Sequence, residues 1–214
     1  MLQSERSWKK LPISQTFKIA ADKNQFSGSH GKNNASKHRQ LERLGYTVVP
    51  IPLPFGDYCL VTDQMQETID RRADKLKKAD LIADIKISVD TKKDLLEVAG
   101  NICSGSHARF RDELILAQKM NAKMIILVEE PSIHTIDDVF KWQNPRMHRY
   151  NKIKYMHNIG KWQNIPLPKK PPTKGETLAK SMLTCQLKYG CEFQFCSPNE
   201  TGKKIIDLLH TSDR

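Results

Sequence analysis

The chain has 214 residues, with 35 Lys and Arg against 24 Asp and Glu and a formal net charge of +11. That length suits one packed domain carrying an insertion, and the charge points to a polyanionic partner, nucleic acid before an anionic membrane surface. No apolar run approaches the roughly 20 residues that cross a bilayer, and the opening Met1-Leu2-Gln3-Ser4-Glu5-Arg6 lacks the apolar core of a signal peptide, so a cytoplasmic protein without membrane contact is expected. Cys59, Cys103, Cys185, Cys191 and Cys196 contain no Cys-x-x-Cys pair, which suits a reducing compartment and neither a zinc ribbon nor a zinc finger.

Residues 1–15 are polar and basic without a hydrophobic period and are expected to form a flexible arm ahead of a single domain at 16–210. Residues 16–21 alternate as a short strand and run into Asp22, a carboxylate that suits a functional site and a turn-initiating Asp equally. The Gly, Ser, Asn and His of 28–34 predict a loop, and 35–44 a basic helix stopped by Gly45. Residues 46–53 read as a strand whose Pro50 and Pro52 put it at an edge or a kink, followed by a second strand from Tyr58. The charged stretch 62–80 predicts a loop or short exposed helix, and the apolar positions of 81–89 one strand reaching Asp90.

Helices are expected over 94–102, where Leu95, Leu96, Val98, Ala99 and Ile102 follow a helical period, and from His107 through Ala117. The continuous apolar run 124–129 predicts a strand covered on both faces. A helix ending at Gly190, a strand at 192–196 and a helix over 203–209 close the chain. Strands alternating with helices predict an α/β fold, a mixed central sheet flanked by helices.

Gly56-Asp57 precedes one of these strands, and Asp90-Thr91-Lys92 ends another about thirty residues on. Two carboxylates from neighbouring strands can share one hard divalent cation, Mg²⁺ or Mn²⁺, through oxygen. Lys92, two residues past Asp90, faces the same side of its strand, where it can orient a water or offset charge building on a phosphate. Asp57, Asp90 and Lys92 are therefore the expected catalytic residues. Asp57 and Asp90 are the expected metal ligands, with Asp22 as an additional carboxylate. Taken alone, each motif also reads as a surface turn or a solvated strand end.

Residues 131–174 differ in character and read as a basic insertion. Lys-Trp-Gln-Asn occurs twice, at 141–144 and 161–164, around a stretch rich in Arg, Lys and Tyr, and a proline run follows. Lys141, Trp142, Arg146, Lys161 and Trp162 are candidates for tracking phosphates and stacking on unpaired bases. Anchoring of the tryptophans onto the core is the competing reading, favoured for Trp142.

The order of these features resembles the XPF-type structure-specific endonuclease family of the PD-(D/E)XK superfamily. Asp22-Lys23-Asn24-Gln25, Gly56-Asp57-Tyr58, Val89-Asp90-Thr91-Lys92 with Arg109-Phe110 and Glu113, and the closing Phe195-Cys196-Ser197-Pro198 carry the resemblance over about residues 16–210. Asp90 stands where that family has Glu, Thr91 where it has Arg, and Leu96 where it has an acidic residue. No paired helix-hairpin-helix module follows in these residues.

The resemblance implies a restriction-endonuclease-like core and a Mg²⁺- or Mn²⁺-dependent DNA endonuclease acting on branched or flapped DNA. It further implies Arg109 and Arg111 as phosphate clamps, a homodimer, and a bacterial or prophage setting in repair or recombination. The altered third motif supports an alternative, a catalytically weak DNA-binding or protein-interaction module on the same fold, and action on RNA stays open.

Overall fold

Strands β1 (Lys18–Asp22), β2 (Thr47–Ile51), β3 (Tyr58–Leu60), β4 (Ile87–Lys92), β5 (Lys123–Glu129) and β6 (Glu192–Cys196) form one sheet in the order β2-β1-β3-β4-β5-β6. The computed structural model describes residues 17–104 and 107–211, and the expected arm at 1–15 lies outside them. β3 is antiparallel to both neighbours, while β1–β2, β4–β5 and β5–β6 are parallel, so the sheet is mixed as the sequence predicts. One reversed strand has a direct consequence. The C-terminal ends of β1, β4 and β5 and the N-terminal start of β3 share one edge of the sheet, which brings Asp22, Asp57, Asp90 and Glu129 to the same rim.

The helices are α1 (Gly28–Arg43), α2 (Asp63–Arg72), α3 (Leu95–Cys103), α4 (His107–Lys119), α5 (Ile136–Val139), α6 (Arg146–Asn158), α7 (Gly175–Tyr189) and α8 (Thr201–Leu209). Period-2 alternation divides the strand side chains between two cores. Val89, Ile125 and Leu127 pack with Leu41 of α1 and Ile205 and Leu209 of α8. Met124, Ile126 and Val128 pack with Leu95, Leu114, Leu178 and Met182 of α3, α4 and α7.

Two sequence expectations are corrected. The loop predicted at 28–34 belongs to α1, where Asn34 is buried and its amide hydrogen-bonds Gln25, a tertiary contact that outweighs the local preference of Gly and Asn. The strand predicted over 81–89 begins at Ile87. β3 is three residues long and pairs with β4 at Tyr58–Val89, and β5 starts opposite Ile87, so the residues before Ile87 have no ladder to join. Leu81, at the end of a 3-10 turn over Lys78–Leu81, and Ile85 instead anchor this stretch in the core. The edge expected for the proline-bearing strand is borne out, since β2 ends the sheet. The 62–80 stretch holds α2, capped by the Thr62 hydroxyl accepting the Met65 N–H at 3.2 Å.

The turn into β3 is set by Gly56. Its φ of +68° is strained for any L side chain, and a Cβ there would collide with Ser88 Oγ on β4. That hydroxyl is occupied, 3.1 Å from the Phe55 carbonyl, and the Asp57 N–H donates to the Val89 carbonyl at 2.9 Å. Gly56→Ala is expected to destabilise the fold by about 2–4 kcal/mol, strain and overpacking together. Adding Ser88→Ala should recover part of the loss. Urea unfolding of the three proteins checks this, and a silent Gly56→Ala would refute the packing described.

Candidate active site

The rim of strand ends opens into a cleft of about 1100 Å³ lined by Asp22, Asp57, Asp90, Lys92, Glu113 and Arg109, among others. β4 ends inside it. Asp90 and Lys92 point to the α3/α4 side, and Thr91 between them points toward α1. Asp90 is 4% exposed, and its Oδ2 lies 2.6 Å from Lys92 Nζ, an ion contact without hydrogen-bond geometry. The same ammonium stands 5.6 Å from the centre of the Phe110 ring.

Asp57 is tied to β4 and to the first helical turn. Its Oδ2 accepts the backbone N–H and the hydroxyl of Thr91, both at 2.8 Å, and its Oδ1 accepts the Gln25 amide at 2.6 Å. Burial pushes the Asp57 carboxyl up to about 6, the Asp90 charge adds to the rise, and Lys92 and the Thr91 bonds oppose it. Asp90 is raised for the same first reason, burial, against the pull of Lys92. For Lys92 burial works against the charge, yet Asp90 and Asp57 outweigh it and hold the ammonium charged.

Asp22 has a different position. Its Oδ1 accepts the Asn24 N–H at 2.9 Å and its Oδ2 the Leu53 N–H at 3.0 Å, so it caps one turn and braces the exit of β2. Lys78 stands 3.7 Å from it. Among the described residues no three His, Cys, Asp or Glu side chains group as a metal cluster. Asp57 and Asp90, with Asp22 on the same rim, are the carboxylates that could hold a cation. The buried Asp90, with an oxygen lacking a hydrogen bond, and the part-buried Asp57 suit Mg²⁺ or Mn²⁺, hard cations that keep several waters and take further oxygens from a phosphate.

Of the other candidate residues, Arg109 and Arg146 line the cleft. Arg111 turns aside to Asp112 at 3.0 Å. Trp142 packs against the core. Trp162 lies under Lys152 at 5.5 Å, and neither it nor Lys141 or Lys161 lines the cleft. Lys37, Lys78, Glu113 and Glu129 line it as well and were not singled out as site residues in the sequence. Glu113, half-buried with its carboxyl raised by burial, had a signal in the Arg-Phe-x-x-Glu start of its helix. Lys37 and Glu129 had none, since each looks like an ordinary charged residue of its helix or strand.

A mixed α/β sheet with a Gly-Asp turn and an Asp-x-Lys strand end meeting in one cleft defines a restriction-endonuclease-like, nuclease-type domain. The chain belongs to the family described as ERCC4 domain, which matches residues 22–208. The chain is similar to XPF from Aeropyrum pernix, with 21% identity and a TM-score of 0.51 over 92% of this chain and 65% of that one. A second structure, XPF from Aeropyrum pernix in complex with DNA, gives 20% identity and a TM-score of 0.48 over the same shares. The chain therefore spans just under two thirds of the length of these structures. No curated protein matches it.

The raised Asp57 carboxyl has a stability consequence in metal-free protein. Between about 3.8 and 6 the folded state holds a proton the unfolded chain has released, so this residue's contribution to stability falls as pH rises through that window and stays lost above it. Relative to the wild type in EDTA, Asp57→Asn should gain nothing near pH 4 and roughly 5 °C in melting temperature by pH 7. Calorimetry across that range checks it, and a pH-independent difference would show that Asp57 titrates normally.

Proposed function

We propose that this protein is a Mg²⁺- or Mn²⁺-dependent DNA endonuclease acting on branched or flapped DNA. The observation that carries the reading is a pair of carboxylates, the buried Asp90 and the part-buried Asp57, with a buried, permanently charged lysine beside them in an open cleft of a strongly basic chain.

Asp57 and Asp90 would hold the metal, which supplies Lewis-acid polarisation of the phosphate and a more acidic water. Water attacks phosphorus and yields a proton to solvent, one P–O ester bond breaks with the leaving oxygen taking up a proton from solvent, and negative charge accumulates on the non-bridging oxygens in between. Lys92 meets that charge from a fixed position, because Asp90 and the Phe110 ring hold its ammonium where water cannot screen it. Thr91 and Gln25 keep Asp57 from turning as charge moves. Arg109 on α4 and Arg146 at the start of α6 take flanking phosphates at the cleft rim. The extension to a homodimer and to repair or recombination in a bacterial or phage-infected cell rests on the family alone.

Labelled duplex, flap, four-way-junction and single-stranded DNA incubated with Mg²⁺, Mn²⁺ or EDTA test the reading. Cutting should need the metal and favour flaps or junctions, and Asp57→Ala and Asp90→Ala should each lose roughly a thousandfold in rate. Both variants should bind DNA within a few-fold of the wild type. Binding without cutting in every metal would replace the endonuclease by the binding module. Separately, Arg109→Ala and Arg146→Ala should each weaken binding to all substrates alike and lower the slope of log K against log salt by about one. An unchanged slope would remove that arginine from the DNA path.

A further inference from the structure

Behind the carboxylate pair, on the α1 side of the sheet, lies a second buried charge pair that the mechanism above does not use. Lys37 of α1 is 7% exposed, and its ammonium lies 2.8 Å from Glu129 Oε1 at the end of β5 and 3.3 Å from Thr91 Oγ1. Both side chains of the pair are about nine-tenths removed from solvent. A buried lysine and glutamate add little net stability, because their desolvation offsets their attraction. Their placement is informative.

The contacts form one directed path. An ammonium can only donate, and a threonine hydroxyl has a single proton. With Lys37 donating into Thr91 Oγ1, the Thr91 proton goes to the acceptor within reach, Asp57 Oδ2 at 2.8 Å. Oδ2 also receives the Thr91 N–H, so both its lone pairs are engaged, while Oδ1 receives Gln25 and keeps one free. Alternation along β4 makes this possible: Thr91 faces α1 while Asp90 and Lys92 face the opposite layer, so the site is braced from behind the sheet.

We infer that Lys37, held by Glu129, is a positioning residue that acts through the Thr91 hydroxyl to fix the Asp57 carboxylate, leaving Oδ1 as the oxygen it offers to a divalent cation. The inference rests on the metal-dependent reading of the site. It assigns a role to two charged residues from different elements, neither of which touches the reacting phosphate.

Mn²⁺ binding to the DNA-free protein, measured by calorimetry or by the loss of the free-ion electron paramagnetic resonance signal, tests it. The variants are Lys37→Met, Thr91→Val, their double, and Lys37→Met/Glu129→Gln, which removes the whole buried pair and so leaves no orphaned carboxylate. Lys37→Met/Glu129→Gln should melt close to the wild type yet bind Mn²⁺ roughly tenfold more weakly, the usual scale for a residue supporting a metal ligand. Thr91→Val should lose about as much, and Lys37→Met should add little on top of it, because both cut one path. Lys37→Arg, which keeps the charge beside Glu129 and can still donate to Thr91, should restore most of the affinity.

Wild-type Mn²⁺ affinity in Lys37→Met/Glu129→Gln, or losses that simply add in the Lys37→Met/Thr91→Val double, would overturn the inference while leaving the endonuclease reading intact. A drop of about one in the salt slope of DNA binding on replacing Lys37 would overturn it in favour of direct phosphate contact. Failure of the wild type itself to bind Mn²⁺ would instead remove the reading on which it rests.

Discussion

Keeping two carboxylates out of water in the middle of one sheet is the constraint to which the rest of the cleft answers. Burial makes both Asp57 and Asp90 reluctant to ionise, and the charge of Asp90 adds to the cost at Asp57, as those of Glu113 and Glu97 do at Asp90. One ammonium, Lys92, cannot neutralise both. The protein adds the backbone and hydroxyl of Thr91, the amide of Gln25 and, one layer behind, the Lys37–Glu129 pair. Counted as formal charges, Asp22, Asp57, Asp90 and Glu129 against Lys37 and Lys92 leave an excess of two negative charges in this part of the site. A divalent cation is the partner that such a remainder attracts.

The topology makes the gathering possible at small conformational expense. Were β3 parallel to its neighbours, the turn carrying Asp57 would lie at the opposite edge of the sheet from Asp90. Reversing this one strand puts its entrance beside the exits of β1, β4 and β5. Gly56 is the local condition for that entrance, since the chain passes so close to Ser88 that no side chain fits. The Asp22 carboxylate then ties the exits of β1 and β2 together through backbone N–H groups, and the Asp22 N–H donates to the Asp57 carbonyl at 2.9 Å. A residue that in sequence could serve the chemistry or the turn makes the contacts of the turn while still lining the cleft.

Asp57, Asp90 and Lys92 were legible because their pattern is local: a Gly-Asp ahead of one strand and an alternating Asp-x-Lys at the end of another need no knowledge of distant contacts. The run 124–129 was legible for a similar reason, as a strand buried on both faces must be continuously apolar. What escaped depends on partners far along the chain. The start of β4 is set by where β3 and β5 begin, which no period within 81–89 records. Asn34 extends α1 through a bond to Gln25, against its own preference. Lys37 meets Glu129 across 92 positions of sequence, and a lysine in a basic helix gives no sign that it is the one turned inward.

The insertion shows the same limit from another side, since its two identical Lys-Trp-Gln-Asn stretches have different fates. In the first, Trp142 packs on the core, and the buried Asn144 donates to the Thr173 carbonyl at 2.9 Å and accepts the Arg146 N–H at 3.0 Å. Gly175, at the head of α7, lies so close to the backbone of Val139 and Trp142 that a Cβ would not fit between them. The second copy has Trp162 at φ +53° with Lys152 over its ring, a surface arrangement within the insertion. Identical residues thus acquire different roles from what they meet. The anchored copy is the one that bears on the cleft, because fixing Asn144 fixes the first turn of α6 and with it the place of Arg146 on the rim.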